Sequence, residues 1–369
     1  MYIGWRIALA ANDRLSILVF GAGAIGGYLG GSLALQGHRV VFLERPHNAP
    51  ILLERGLHLY LGADHRHLHP LEVVTSIEEA LQPATLNIQP GFDLALFALK
   101  SYDTASALES LAPFAAQLPP FLCLQNGVEN EAALAAVLGP GKVVAGTVTT
   151  AVAKDGPGQV RLERLRGVGL AAGHLLSARI AAALNAAGLN ARLYADGAAM
   201  KWSKLLTNLL TNASCAILDQ SPAEVMAHPG LFAIEMRQLR EALAVMRAMK
   251  LPVVDLPGTP VRALAFGTRL PAGLARPLMA RAVGRSRGAK MPSLHIDLHG
   301  GKERSEVDWL NGAVVRAGTR VGVKTPVNQF LTETLLALVE KKGKGNSFRG
   351  DSDALINAIK ARTVPASLR

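Results

Sequence analysis

The stretch from Leu15 to Gly26 constrains the fold of this chain most. It reads LSILVFGAGAIG, an apolar strand that runs directly into glycines at positions 21, 23 and 26. Glycines at this spacing permit a tight turn, the close approach of a pyrophosphate, and close packing of the next helix on the strand. The start of that helix then presents backbone N–H groups to an anion. The pattern predicts the opening of a dinucleotide-binding βαβ unit.

The residues that follow support this interpretation. A helix of small residues is predicted from Ala24 to Gln36, with Gly37 after it, and a second strand from Arg39 to Leu43 ends at Glu44. Because glycines also serve ordinary turns, a plain strand–turn–helix without a ligand is the alternative. The position of the glycines between a strand and a helix favours nucleotide binding.

Composition limits the class of protein. The chain has 369 residues and two cysteines without metal-type or redox spacing, and no uninterrupted apolar run is long enough to span a membrane. The cysteine usage fits a reducing compartment, so a cytoplasmic protein is predicted. The segment 257–291 carries seven basic residues and no acid, within a net charge of +11. It could attract anions or nucleic acid, but it contains a single aromatic residue, Phe266, which is poor evidence for base stacking and favours a solvated surface.

The hydrophobic pattern changes character along the chain. Strand and helix signals alternate up to about residue 150, whereas long helical patterns dominate from Ala198 onward. We therefore predict an extension (1–14), an α/β domain (15–195), a mainly helical domain (196–345) and a polar tail that is mobile in part (346–369). The predicted long helices are Ala198–Leu218, Leu231–Met249, Asp308–Val321 and Asn328–Lys341.

The first of these helices carries a polar stripe. Lys204, Asn208 and Asn212 are spaced four apart among leucines. In one continuous helix such positions drift by only about 40° per step, so the three side chains would share one face. This predicts a helix that lines a cleft for a small polar ligand. A solvent-facing stripe on an amphipathic helix is the alternative.

Histidines and acids elsewhere suggest weaker sites. Ser305 to Asp308 resembles a helix entrance, and its acids can be explained as capping groups. His295 and His299 have a spacing that can ligate a metal, but no third ligand is evident in the sequence. The alternating histidines at 65, 67 and 69 would share one face of a strand. Since exposed histidines are common, no metal site is predicted.

Taken together, the motifs resemble one family. The chain is similar to ketopantoate reductases (2-dehydropantoate 2-reductases) over about residues 15–341. The resemblance implies an α/β Rossmann-type dinucleotide-binding domain followed by a mainly α-helical domain like the C-terminal domain of 6-phosphogluconate dehydrogenase, with the substrate between them. It also implies reduction of ketopantoate to pantoate, a step of pantothenate biosynthesis. The matching blocks are GAGAIGGYLG, ALKSYDT, CLQNGVENE, KWSKLLTN and SEVDWLNGAVVRAGTRVGVKTPVN.

The resemblance also implies roles for individual residues. Lys204 matches the catalytic lysine that protonates the ketone oxygen while hydride arrives from the nicotinamide, and Glu306 matches the acid that holds the hydroxyl end of the substrate. The matching substrate-binding residues are Asn208, Asn212 and Ser293. The matching cofactor-binding residues are Gly21, Ala22, Gly23, Ala24, Ile25, Gly26, Arg45, Lys100 and Asn126.

The end of the second strand departs from the family. Arg45 matches the arginine that binds the ribose 2′-phosphate of NADPH, but Glu44 stands where an acid would bind the free 2′-hydroxyl of NADH. NADPH is the expected cofactor, and NADH remains open. The expected partner is a small 2-keto acid, with no membrane partner and no nucleic acid favoured, and a homodimer left open.

Two alternatives come from other classes. One is a related reductase of a different 2-keto acid, or an opine-type dehydrogenase, because the stretch 255–291 and the spacing from Ser293 to Glu306 are longer than usual for the family. The other is a non-catalytic dinucleotide sensor or nucleic-acid binder that uses the basic segment. The combination of Lys204 and Glu306 favours catalysis, since a sensor needs neither.

Overall fold

A computed structural model describes residues 14–82, 91–287, 290–341 and 343–363. Most of the predicted extension 1–14, residues 83–90 and the chain end after residue 363 lie outside this range. The chain divides into two compact units. The first runs to Gln125 and adds Glu129–Lys201 and Leu256–Thr259, whereas the second comprises Asn126–Val128, Trp202–Asp255 and the chain from Pro260 onward.

The first unit is built on an eight-stranded sheet in the described part of the chain. The strands of this sheet are β1 (Ser16–Phe20), β2 (Arg39–Leu43), β5 (Glu72–Val74), β6 (Leu94–Phe97), β7 (Phe121–Cys123), β8 (Val143–Val148), β11 (Val168–Ala171) and β12 (Ala191–Tyr194). Their order in the sheet is β12-β11-β8-β7-β6-β1-β2-β5, and all neighbours are parallel except β8 and β11. This mixed sheet confirms the α/β Rossmann-type prediction.

The central strand β1 is covered on both faces. Ile17 and Val19 pack into one hydrophobic cluster of the unit, and Leu18 and Phe20 pack into another. Successive side chains of a strand point to opposite faces, so a strand buried on both faces needs an unbroken apolar run. This explains the sequence SILVF and places the glycine turn at the carboxyl end of a rigid strand.

A second sheet and a set of helices complete the first unit. The small sheet has the order β4-β3-β10-β9. Its strands are β3 (Leu57–Leu61), β4 (Asp64–Leu68), β9 (Ala151–Gly156) and β10 (Gln159–Arg164). The helices are α1 (Ala24–Leu35), α2 (Ala49–Arg55), α3 (Ile77–Leu81), α4 (Thr104–Leu111), α5 (Asn130–Leu138) and α6 (Ser177–Ala186), and the boundary helix α7 covers Gly197–Leu209.

In the described residues of the second unit, all regular secondary structure is helical, as the sequence predicts. A π-helical turn, Asp308–Gly312, precedes one of its helices. The helices are α8 (Asn212–Leu218), α9 (Pro222–Ala227), α10 (Pro229–Ala248), α11 (Val261–Gly267), α12 (Ala272–Arg287), α13 (Ser293–His299), α14 (Ala313–Arg320), α15 (Pro326–Glu340) and α16 (Ser352–Thr363). Among the residues that the structure describes, no helix is both long and apolar enough to cross a membrane.

The stretch predicted as a polar tail contains helix α16. Leu355, Ile356 and Ile359 are buried on its inner face, and α16 contacts α10 and α15. The spacing of these three residues is that of an amphipathic helix face. Burial of apolar side chains therefore orders residues that the surrounding polar sequence suggests are mobile.

The predicted helix from Ala198 to Leu218 is interrupted. Helix α7 ends at Leu209, Thr211 has a left-handed backbone with φ of 59°, and α8 begins at Asn212. The expectation of one continuous polar stripe is therefore wrong for Asn212, which lies on a separate helix. Lys204 and Asn208 do share α7.

Candidate functional site

The glycine turn after β1 has the geometry of a dinucleotide cradle. Gly21 has φ of +85°, a conformation that side chains with a Cβ rarely adopt, and a Cβ added at Gly26 would overlap the Gly21 carbonyl oxygen. A Cβ at Gly23, in contrast, would have no protein atom within 4 Å. Gly23 begins α1 without a side-chain cap, so the first N–H groups of α1 have no acceptor within the helix. The open space and these donors fit a pyrophosphate.

A cavity of about 580 Å³ adjoins this turn. Its volume is in the range of small-molecule and cofactor sites. It lies at the carboxyl ends of β1 and β2, where open α/β sheets bind their ligands. Polar residues of its lining include Glu44, Arg45, Ser76 and Asp103, and apolar ones include Leu99 and Phe114.

Glu44 holds the glycine turn through its side chain. Its Oε2 accepts a hydrogen bond from the backbone N–H of Ala22 at 2.8 Å. Its Oε1 accepts from the backbone N–H of Arg45 at 2.9 Å and from the Asn48 amide at 3.3 Å. Both carboxylate oxygens are therefore engaged by protein donors, and Glu44 acts as an anchor between the ends of β1 and β2.

Arg45 reaches the rim of the same cavity. Its guanidinium lies 3.1 Å from a carboxylate oxygen of Asp103, and 64% of the side chain is exposed. Ion pairs at such exposure contribute little to stability, about 1 kcal/mol or less. The guanidinium can therefore exchange Asp103 for an anionic group of a bound ligand.

Lys100 and Asn126 follow two other strands of the large sheet. Lys100 lies just beyond the end of β6, and Asn126 lies just beyond the end of β7. Asn126 belongs to the second unit, where its Oδ1 accepts a hydrogen bond from Nδ2 of Asn208 at 3.0 Å. This bond fixes the amide orientation of both residues.

Helix α7 also carries a buried lysine, Lys201, that the sequence does not single out. Lys201 Nζ donates to the Gln125 carbonyl at 2.6 Å and lies 2.7 Å from a carboxylate oxygen of Glu131. Burial opposes its charge, but Glu131 raises the pKa of Lys201 above its usual value. Lys201 therefore supports the end of β7 as a permanent cation. Nothing in the local sequence separates it from Lys204.

Helix α7 presents Lys204 and Asn208 one turn apart. Residues at this spacing are neighbours on a helix surface, with Cβ atoms about 5–6 Å apart. Lys204 is half-buried, and the two leucines that follow it, Leu205 and Leu206, are almost fully buried. The ammonium thus projects from the edge of an apolar face.

Asn212 joins two helices of the second unit. Its Oδ1 accepts a hydrogen bond from the backbone N–H of Leu294 at 3.1 Å, at the start of α13. Ser293, the first residue of α13, is exposed. The predicted substrate residues Asn212 and Ser293 are therefore brought to the adjoining N-terminal ends of α8 and α13.

The break between α7 and α8 depends on Glu235 of α10. This carboxylate is fully buried and accepts from the Thr211 backbone N–H at 2.6 Å and from the Ser214 hydroxyl at 2.5 Å. Gln238 also donates to it. Glu235 therefore holds Thr211 in its left-handed conformation and sets the direction in which Asn212 begins α8.

Glu306 lies just before the π-helical turn of the second unit and is 2% exposed. π-helical turns of this kind occur frequently at functional sites. The turn is stabilised by Asn311, whose Nδ2 donates to Gln238 and Asn328 at 3.0 Å each. A buried carboxylate in such a setting can accept a hydrogen bond from a substrate hydroxyl.

Two family profiles and a curated relative match most of this chain. The family profile "Ketopantoate reductase PanE/ApbA" matches residues 17–173, and the profile for the C-terminal part of the same family matches residues 196–339. A 2-dehydropantoate 2-reductase from Halobacterium salinarum is 29% identical over 345 residues, which cover 89% of this chain and 100% of that protein.

Solved structures have the same fold. A PanE/ApbA family ketopantoate reductase from Ralstonia eutropha JMP134 aligns with a TM-score of 0.74 and 30% identity, over 89% of this chain and 100% of that one. A D-mandelate dehydrogenase solved with NADH and anilino(oxo)acetate aligns with a TM-score of 0.71 at 22% identity, over 89% and 99% of the two chains. With both profiles matched and a 30% identical relative covered in full, the chain belongs to the PanE/ApbA ketopantoate reductase family.

Proposed function

We propose that the chain reduces a small 2-keto acid with NADPH, and that this acid is ketopantoate, which becomes pantoate. The observation that carries the proposal is the pairing on α7 of a half-buried Lys204 with Asn208, whose amide is held by Asn126. A cation and an oriented amide at the edge of an apolar face suit a substrate with a polarised carbonyl. The family membership supports the reaction class.

Lys204 is proposed to be the proton donor. NADPH, when bound, would supply the hydride that reduces the carbonyl carbon of the 2-keto acid. The ketone oxygen, which gains negative charge, takes a proton from Lys204 Nζ, and the neutral amine regains its proton from solvent. The ammonium also stabilises the developing charge before the proton moves, so one group serves as acid and as electrostatic stabiliser.

The remaining predicted residues would hold the substrate. Asn208 and Asn212 offer amide donors and acceptors, and the Ser293 hydroxyl can donate to the substrate carboxylate. Glu306 would accept a hydrogen bond from the hydroxyl group at the far end of ketopantoate. A 2-keto acid that lacks this hydroxyl would lose the contact with Glu306, so Glu306 would favour ketopantoate over such acids.

NADPH is the proposed cofactor because of how Glu44 and Arg45 are used. Both oxygens of Glu44 already accept hydrogen bonds from protein groups, which leaves it as an anchor for the turn rather than a partner for a ribose hydroxyl. Arg45 lies at the rim of the cavity with an exposed guanidinium. A guanidinium matches the geometry of a phosphate by paired hydrogen bonds.

The proposed reaction is tested directly with purified protein. We expect oxidation of NADPH, followed by its absorbance, when ketopantoate is added, and slower oxidation with 2-keto acids of similar size that lack the terminal hydroxyl. An opine-type enzyme would instead require an amine together with the keto acid. Absence of NADPH and NADH oxidation with every 2-keto acid tested would refute the substrate class.

Replacing Arg45 with alanine should change cofactor preference. We expect the Kd for NADPH to rise about tenfold or more, since a charge-assisted contact to phosphate is lost, while the Kd for NADH stays within about twofold. Both constants can be measured from nicotinamide fluorescence without a substrate. Arg55→Ala, an arginine of the same unit that is 71% exposed, is the matched control.

The Glu44→Gln variant separates the two roles of this side chain. If Glu44 anchors the turn, the variant should weaken NADPH and NADH binding by similar factors. A selective loss of NADH binding would assign Glu44 to the ribose 2′-hydroxyl and overturn the preference for NADPH.

A further inference from the structure

The second unit brings together three metal-type ligands that have no role in the proposed reaction. His295 and His299 lie one turn apart on α13, and Asp219 follows the end of α8. Asp219 Oδ1 lies 2.7 Å from His295 Nε2 and 3.6 Å from His299 Nε2. The sequence gives the histidine pair, and the fold supplies the third ligand from 76 residues earlier in the chain.

We propose that Asp219, His295 and His299 bind a divalent transition-metal ion of the zinc type. Zinc in proteins takes imidazole nitrogens and carboxylate oxygens at about 2.0–2.2 Å, and three protein ligands with one open position form a common set. Tetrahedral bonds of that length place the donor atoms about 3.3 Å apart. The two separations of 2.7 and 3.6 Å bracket this value, so small side-chain shifts suffice.

The surroundings of the three ligands favour a cation. Asp219 follows the last residue of α8 and His299 is the last residue of α13, and helix ends of this kind carry partial negative charge. The Ala216 carbonyl oxygen, in the last turn of α8, is 3.2 Å from His299 Nε2, and a metal ion on this nitrogen would replace the N–H that faces the carbonyl. The Asp219 carboxylate partly balances the positive charge that a bound ion would add.

Arg349 orients the carboxylate ligand. Its Nε and a terminal nitrogen bind Asp219 Oδ2 at 3.0 and 2.6 Å, which leaves Oδ1 directed at the histidines. Hydrogen bonds to the outer atom of a ligating group commonly fix its orientation in metal sites. The positive charge of Arg349 opposes binding of the ion. We therefore expect a Kd for zinc in the micromolar range, weaker than that of buried structural zinc sites.

Solvent can reach the site. The exposed fractions of the side chains are 12% for His295, 25% for Asp219 and 28% for His299. An ion can therefore enter without unfolding of the unit. Bound there, it would link the C-terminal ends of α8 and α13, whose N-terminal ends are already joined by Asn212 and Leu294.

A second histidine cluster provides the control. His58, His65 and His67 stack on β3 and β4, with ring centroids 4.2 Å apart for His58 and His67, and His58 Nδ1 is 3.0 Å from His65 Nε2. These exposed rings can bind zinc weakly on their own. A His67→Gln variant disrupts this cluster in the first unit and leaves the proposed site intact.

The test uses chelator-treated, full-length protein without added histidine tags, titrated with ZnCl2 in a calorimeter. In wild type and His67→Gln, the tightest class of zinc site should have a stoichiometry of one per chain, whereas His299→Gln and Asp219→Asn should bind this zinc about 100-fold or more weakly. Saturating zinc should raise the thermal midpoint of the first two proteins by about 5 °C, and that of the last two much less.

Three results would overturn the site. They are the absence of one-to-one binding in wild type, binding that is lost in His67→Gln, and undiminished binding in His299→Gln or Asp219→Asn. Far-ultraviolet circular dichroism checks that the variants are folded, and Asp219→Asn preserves side-chain volume if His299→Gln perturbs α13. The outcome does not depend on the proposed enzymatic function, because metal binding and thermal stability are read without substrate.

Discussion

Lys204→Ala should lower kcat for ketopantoate reduction by about 10³-fold while the Kd for NADPH stays within about twofold. The expected loss combines a missing proton donor and a missing positive charge at the ketone oxygen. Water that enters the space left by the side chain is a much weaker acid than an ammonium group and carries no charge. Steady-state kinetics give the first quantity, and nicotinamide fluorescence gives the second.

Two further variants make this result specific. Lys360→Ala, which changes an exposed lysine of α16, should leave kcat unchanged. Lys204→Arg keeps the positive charge but offers a group that scarcely releases a proton near neutral pH. If Lys204 is the proton donor, the arginine variant should recover little of the lost kcat. Recovery to near wild-type rate would reassign Lys204 to electrostatic stabilisation alone, and an active alanine variant would contradict both roles.

The first unit is predictable from sequence because its signals are local. The unbroken apolar run of β1 follows from burial on both faces, and the glycine turn follows from backbone requirements at Gly21 and Gly26. Each of these depends on residues within a few positions of one another. The strand, the turn and the helix therefore appear in the structure as expected.

The break before Asn212 could not be predicted in the same way. The sequence around Thr211 contains neither glycine nor proline, and its pattern continues as a helix. The turn exists because the carboxylate of Glu235, on another helix, binds the Thr211 backbone and the Ser214 hydroxyl. A contact across 24 residues overrides the local helical preference.

The two lysines of α7 illustrate the same limit. Lys201 and Lys204 differ by less than one helical turn in sequence, yet only Lys201 is enclosed, paired with Glu131 and bound to the Gln125 carbonyl. Which of the two lysines supports the fold depends on the end of β7, some 76 residues away. The resemblance to the family distinguishes them, whereas spacing alone does not.

The glycine turn gives a second large effect, and it contrasts two alanine substitutions. A Cβ at Gly23 meets no protein atom within 4 Å, and its φ of −72° suits any residue. Gly23→Ala should therefore change the free energy of unfolding by only about 0.5 kcal/mol. It should nevertheless weaken NADPH and NADH binding by about 100-fold, because the methyl group occupies the space proposed for the pyrophosphate.

Gly26→Ala, in contrast, should mainly lower the stability of the protein. Its Cβ would overlap the Gly21 carbonyl oxygen and crowd Val19 of β1, so α1 must move away from the strand. We expect a loss of about 3 kcal/mol in the free energy of unfolding, measured by urea denaturation followed by circular dichroism. Gly141→Ala, at a surface glycine with open space around it and an ordinary backbone, should alter neither stability nor cofactor binding. If Gly23→Ala binds both nucleotides as wild type does, the turn after β1 is not the phosphate site, and the cofactor site on which the proposed reductase activity depends is contradicted.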